Sequence, residues 1–310
     1  MRSVTMAGGS SMNQGFTYRE VLPRLPHGAT LLGYLSQRYR HSSVAAWEQR
    51  IRLGQVTLEG RPATPTTPVL RGQAVAWHRP PWREPDAPLA VSTLYEDRQL
   101  LAVAKPAGLP TLPGGGYLEH TLLARVRRLD PLAVPVHRLG RWTSGIVLFA
   151  RTAEARSALT AAWRRGAVRK CYRALASGRP SRRSFTIDAR IGPVPHRQLR
   201  TIHGASVNGK IARSRVTVVE QRENGFVADV EIDTGRPHQI RIHLAAAGHP
   251  LVGDPLYPSG GCPAADCPAL PGDPGYHLHA AALRVPHPLD ARELHVRCRP
   301  PQILRSPSPA

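Results

Sequence analysis

Lysine is almost missing from this chain of 310 residues. Lys105, Lys170 and Lys210 are the only three, and the other 39 basic residues are arginine. Acid is scarce as well: 21 Asp and Glu stand against 42 Lys and Arg, for a formal net charge of +21. An abundance of Ala, Pro and Gly can account for arginine in place of lysine, but not for a two-to-one excess of bases over acids. That excess draws in polyanions and makes their binding salt-dependent, so a nucleic-acid partner is expected. No run of 18 apolar residues occurs, which speaks against a membrane span. The first 26 residues hold neither an apolar signal core nor a cleavage-like site, so a cytoplasmic protein is expected. There are only four cysteines: Cys171, Cys262, Cys267 and Cys298. A zinc site drawn from Cys262, Cys267, His277 and His279 has no recognised ligand spacing, so reduced thiols and no metal are expected.

Residues 1–26, rich in Ser, Gly, Met and Pro, suggest a mobile N-terminal arm. In residues 27–78, Thr30–Leu35 and Ser43–Ile51 place apolar residues three or four apart, as amphipathic helices do. Gly54–Gly60 and Ala74–Trp77 then alternate like strands. This order resembles a small RNA-binding domain first described in a ribosomal protein (S-four-like), with Arg38, Arg40, Arg50 and Arg52 suited to phosphate. Residues 79–91 are a Pro-rich linker, expected to be extended. From residue 92 to 297 strands predominate, among them 136–139, 146–150, 171–176, 185–191, 216–220, 227–232 and 239–244. Helices are expected at 120–128 and 153–165, and 298–310 is a C-terminal tail. Many strands with helices at the side indicate an α+β domain on a mixed sheet.

Six motifs in this stretch fall in a telling order. Tyr95-Glu-Asp leads to Lys105-Pro-Ala-Gly108, and His137-Arg-Leu-Gly-Arg-Trp-Thr-Ser-Gly145 runs into the apolar Ile146–Ala150. Lys170-Cys-Tyr-Arg-Ala174 follows, then Thr234-Gly-Arg-Pro-His-Gln-Ile-Arg241 and Gly248–Tyr257, and last Leu278-His-Ala-Ala-Ala-Leu283. Together they resemble the RluA-type family of RNA pseudouridine synthases. The resemblance implies the pseudouridine synthase fold, a mainly antiparallel mixed sheet with flanking helices, over roughly residues 92–297. It implies RNA as partner, with ribosomal RNA expected ahead of transfer RNA, and isomerisation of uridine to pseudouridine. That reaction breaks a ribose–base bond, turns the base and rejoins it through carbon. It involves no redox change, so neither a metal nor a nucleotide cofactor is expected.

A uridine inside a helix must leave its stack to react. Its pocket needs a carboxylate to act on the ribose as nucleophile or proton acceptor, a cation to hold that carboxylate ionised and an aromatic face for the base. By resemblance Arg241 is the cation that pairs with a catalytic carboxylate, on a strand with Ile240 and Ile242 facing the core. Tyr172 is the aromatic face, and Arg138 fills the space left by the flipped base. His137, Thr143, Ser144, Arg236 and His238 would line or shape the substrate site, while Gly235, Gly253 and Asp254 suggest turns. The departure is Gly140, which stands where the family carries its catalytic Asp. Glycine offers no acceptor, nucleophile or charge, so another carboxylate, an ordered anion or an RNA phosphate must answer Arg241. Asp233 is the candidate substitute acid, and Asp130 is expected to be a helix-terminal residue. Two functions remain open: a synthase with a rearranged acid, or a catalytically impaired synthase-like protein that binds RNA.

Overall fold

The computed structural model describes residues 12–306, so the start of the expected arm and residues 307–310 of the expected tail lie outside the described residues. The chain divides into two compact units, with the boundary between Glu84 and Pro85, inside the Pro-rich segment.

The first unit runs β1 (Phe16–Val21), α1 (Leu31–Arg38), α2 (Val44–Arg52), β2 (Val56–Leu58), β3 (Arg61–Pro62) and β4 (Ala74–Arg79). Both helices begin at a hydroxyl cap. Thr30 Oγ1 accepts from the Gly33 N–H and Ser43 Oγ from the Ala46 N–H, each at 3.2 Å, satisfying donors that a helix start leaves open. Their apolar faces bury Leu31, Leu35, Trp47 and Ile51 against Val56 and Val75. The four strands form an antiparallel sheet in the order β1-β4-β2-β3. β1 corrects the expectation of a mobile arm up to residue 26. It pairs with β4 from Phe16 to Val21, and Tyr18 stacks on Trp77 at 5.1 Å. Its side chains are mostly exposed, so no buried periodicity announced it; ladder hydrogen bonds hold it. The Arg50 guanidinium sits 4.6 Å from the centroids of both Trp47 and Trp77, so it packs this unit. Arg52 pairs with Glu48, and Arg38 and Arg40 are exposed.

The second unit opens with β5 (Ser92–Glu96), β6 (Leu100–Lys105), α3 (Leu122–Arg127), β7 (Val134–Pro135), β8 (Ser144–Ala150) and α4 (Ala153–Arg164). It continues with β9 (Arg169–Ala176), β10 (Ser184–Ile187), β11 (Ile191–His196), β12 (Arg200–Ala205), β13 (Ser214–Arg222) and β14 (Gly225–Ile232). After α5 (Gln239–Ala246) come β15 (Leu278–Pro286) and β16 (Glu293–Arg297). Ten strands share one sheet along the path β10-β13-β14-β9-β15-β8-β6-β5, with β16 added to β15 and β7 to β8. Within it β15 and β8 pair in parallel and the other pairs are antiparallel. With the flanking helices this is an α+β fold on a mixed, mainly antiparallel sheet. β11 and β12 form a separate hairpin.

β8 is buried at every residue because both of its faces are covered. Ile146, Leu148 and Ala150 pack with Leu159 of α4, while Val147 and Phe149 pack with Leu122 and Val126 on the opposite face. Its second residue must be glycine: at Gly145 φ is +108°, and a Cβ would lie 2.3–2.8 Å from the Ala280 backbone of β15. Part of the expected tail is docked, since Leu304 packs on Leu175 and Val227.

The expected strand at 239–244 is instead the helix α5. Gln-Ile-Arg-Ile-His-Leu alternates polar and apolar, which mimics a half-buried strand. In the structure seven of its eight residues are buried, the polar ones included. Gln239 donates to the Arg213 carbonyl, His243 bonds Ser214 and the Ala189 carbonyl, and Arg241 holds a carboxylate. A helix buried all round shows no amphipathic period.

Candidate active site

The segment 137–143 joins β7 to β8 and is pinned from below. Lys105, 1% exposed, donates from Nζ to the carbonyls of Pro106, Leu109 and Arg141 at 2.7–2.9 Å. Burial, and then the charge of Arg141, push this lysine down to about 7. Thr111 Oγ1 donates to the Leu139 carbonyl, and the Gly108 and Arg141 backbones are bonded together. The Lys-Pro-Ala-Gly loop therefore sets the height of the 137–145 signature.

The signature residues divide into supports and surface. His137 accepts the Leu148 N–H at Nε2 and stacks on Trp163; burial, and then the Lys170 charge, lower it to about 4. It is a neutral support for β8. Ser144 pairs with His279, whose other ring nitrogen meets the Cys298 carbonyl, and this clamps β8 to β15. Thr143 closes a turn onto the Gly140 carbonyl. Arg138 and Gly140 are exposed. The backbone of Gly140 lies outside the left-handed region, and a Cβ there would point at the Tyr276 hydroxyl, 3.3 Å away, and at Thr143 Oγ1, 3.5 Å away.

Arg241 comes from the middle of α5 and is 3% exposed. Its Nε and Nη2 donate to the two oxygens of Asp254 at 2.7 and 2.8 Å, and Nη1 donates to the Pro271 carbonyl at 3.0 Å. Its guanidinium lies 4.2 Å from the ring centroid of Tyr276 and 5.0 Å from that of Tyr257. Burial opposes the charge, but the Asp254 bonds outweigh it and hold the arginine above its ordinary pKa. The Asp254 side chain is fully buried, and it also accepts from the Leu256 and Tyr257 N–H groups. Asp254 is thus more than a turn residue: it is the carboxylate that answers Arg241. The sequence signal was present, because it is the one acid in Gly248–Tyr257.

Asp233, the expected substitute acid, does not pair with Arg241. In β14 Val230 and Ile232 pair with Tyr172 and Lys170, so alternation sends Asp229, Glu231 and then Asp233 to the other face. There Asp233 binds Arg215 through two bonds at 2.8 and 2.9 Å and approaches Arg169 at 3.7 Å. Asp130 sits just beyond α3 and pairs with Arg151 at 2.6 Å. Tyr172 is half-buried, packing against the clusters that contain Leu139 and Tyr276. Burial raises its hydroxyl to about 12, so it stays protonated.

His238 occupies the residue before α5 with a left-handed backbone (φ 55°) and bonds the Tyr257 hydroxyl at 2.7 Å. Burial, then the charge of Arg241, with a smaller part from Arg138, lower it to about 3. Arg236 donates to the Ile211 carbonyl, and its N–H is held by Gln239. Position 140, Tyr276, Arg241 and Asp254 therefore form one chain of contacts, with Tyr172 packed on the cluster that contains Tyr276. Tyr276 itself carried no signal in the sequence.

Such a grouping offers a buried fixed cation, an aromatic face and an exposed backbone notch over a hydroxyl. A family model described as RNA pseudouridylate synthase matches residues 99–246. The chain is 42% identical to an uncharacterized RNA pseudouridine synthase of Synechocystis, over 83% of this chain and 89% of that one. It is 36% identical to RNA pseudouridine synthase 5 of Arabidopsis thaliana over 95% of each. It is 32% identical to ribosomal large subunit pseudouridine synthase D of Xylella fastidiosa, over 94% and 91%. Among solved structures, human RNA pseudouridylate synthase domain containing 1 aligns with a TM-score of 0.56 at 25% identity, over 70% of this chain and 86% of that one.

Proposed function

The chain belongs to the RluA-type family of RNA pseudouridine synthases and is an isomerase; from that premise we propose that it converts uridine to pseudouridine in structured ribosomal RNA. The observation that carries the choice of RNA is the alignment with a ribosomal large subunit synthase over 94% of this chain, which takes in most of the first unit. The exposed Arg38 and Arg40 of that unit and the net charge of +21 suit a phosphate-rich partner. In this reading the target uridine leaves its stack and lies against Tyr172. Arg138, exposed beside the signature, takes the space the base vacates. The Asp254 carboxylate fixes the Arg241 guanidinium in place against the Tyr276 ring beside the site.

A second reading rests on Gly140. With no carboxylate at that position, the fold would grip RNA without isomerising it. Transcripts of large-subunit ribosomal RNA and of transfer RNA, tritiated at uridine C5, separate these readings. Tritium release from the ribosomal transcript is expected. Release from transfer RNA alone would overturn the choice of substrate. Binding of both RNAs without release would favour the second reading.

A further inference from the structure

The absent side chain at position 140 leaves room that another group occupies. A Cβ built there meets the Tyr276 hydroxyl at 3.3 Å, closer than any other atom. Tyr276 is 5% exposed, and the one hydrogen-bond partner of its hydroxyl among the described residues is Thr143 Oγ1, at a long 3.4 Å. Its ring lies on the Arg241 guanidinium at 4.2 Å. A weakly held phenol therefore reaches from inside the protein to the exposed notch at Gly140.

The other candidates in this group are committed elsewhere. Asp254 gives both oxygens to Arg241, and its Oδ1 also accepts from the N–H groups of Leu256 and Tyr257, with no exposed side-chain surface. Asp233 belongs to Arg215 and Arg169. Thr143 is as buried as Tyr276, but an aliphatic hydroxyl is a far poorer leaving group than a phenol.

We propose that Tyr276 is the catalytic nucleophile of this chain, its hydroxyl reaching C1′ of the target uridine through the notch at Gly140. The inference rests on the enzyme reading above. Tyrosine oxygen can form covalent intermediates, including at anomeric carbon. As the phenolic oxygen bonds C1′, the C1′–N1 bond breaks, its electron pair stays on N1, and the phenolic proton passes to N1. The freed uracil turns on the Tyr172 face. Its C5 then attacks C1′ and displaces the phenolate, which takes the proton that leaves C5. No proton or electron is gained or lost overall. When the phenolate departs, its charge spreads over the ring on which Arg241 lies, so the cation is placed to stabilise that step.

The test compares tritium release from the C5-labelled ribosomal transcript by the natural chain, Tyr276→Phe, and Tyr276→Phe combined with Gly140→Asp. Phe keeps the ring packed on Arg241 and removes only the oxygen. The expected result is a rate loss of about 100-fold or more, the scale at which positioned catalytic groups act, with RNA affinity unchanged. Recovery of release when Asp stands at 140 would show that a nucleophile, and not the packing, had been lost. Release at the natural rate by Tyr276→Phe would overturn this inference alone. So would a loss of release matched by an equal loss of affinity, which would make Tyr276 a packing residue. No release by the natural chain from either RNA would overturn the enzyme reading together with this one.

Discussion

Two arginine–carboxylate pairs in the second unit share almost the same geometry and differ in everything else. Arg241–Asp254 and Arg215–Asp233 are both two-pronged, with bonds of 2.7–2.9 Å. The first is 3% and 0% exposed at its side chains, the second 43% and 31%. Water screens the second pair and competes for its hydrogen bonds, so its net worth is small. The first has no water to return to, so either partner left alone becomes an unpaired buried charge. Distance along the chain favoured Asp233 as the acid beside the site; burial shows that Asp254 holds that place.

The sharpest way to break this contrast is Asp254→Asn. We expect a loss of about 3–5 kcal/mol, the cost of stranding one member of a buried pair, read as a fall in the urea midpoint. A loss under about 1 kcal/mol, the scale of an exposed pair, would erase the difference.

A second effect follows from His137. Its folded pKa near 4 lies below the ordinary value of 6.5, so below pH 6.5 the unfolded chain binds the proton that the folded one refuses. This stability is present above pH 6.5 and is lost as pH falls toward 4, by up to about 3 kcal/mol. Urea unfolding at pH 7 and pH 4.5 should show a smaller acid loss for His137→Gln than for the natural chain. Equal losses would place the proton elsewhere.

Smaller again is the expected effect at Tyr172. Replacement by Ala should weaken binding of the target RNA by about 1–3 kcal/mol, the value of one stacked base, and Phe should retain most of it. Equal losses for Ala and Phe in a filter-binding titration would shift the role to the hydroxyl. The smallest change belongs to Asp233→Asn, expected within about 1 kcal/mol in stability and without effect on tritium release. A chain that folds but no longer releases tritium would return Asp233 to the site.

Most of the sheet was legible because its strands alternate or run apolar, and because Gly and Pro punctuate them. β8 and β9 stand close to where their periodicity put them, and the motif order identified the synthase fold. α5 was not legible: Gln239, Arg241 and His243 are polar residues buried with partners contributed by distant segments, and no local pattern encodes those partners. β1 was missed for the opposite reason, since its side chains are mostly exposed and backbone pairing alone fixes it. Position 140 stands out in the sequence as the departure from the motif, but its neighbour in the fold is Tyr276, 136 residues away in sequence. Only the fold brings that hydroxyl to the notch.

The claim on which the rest depends is that a chain with glycine at 140 turns over uridine. Multiple-turnover tritium release by the natural protein from the large-subunit ribosomal transcript tests it most directly. More tritium is expected to be released than enzyme added, with pseudouridine in the recovered RNA. No release, while the RNA still binds, would contradict it.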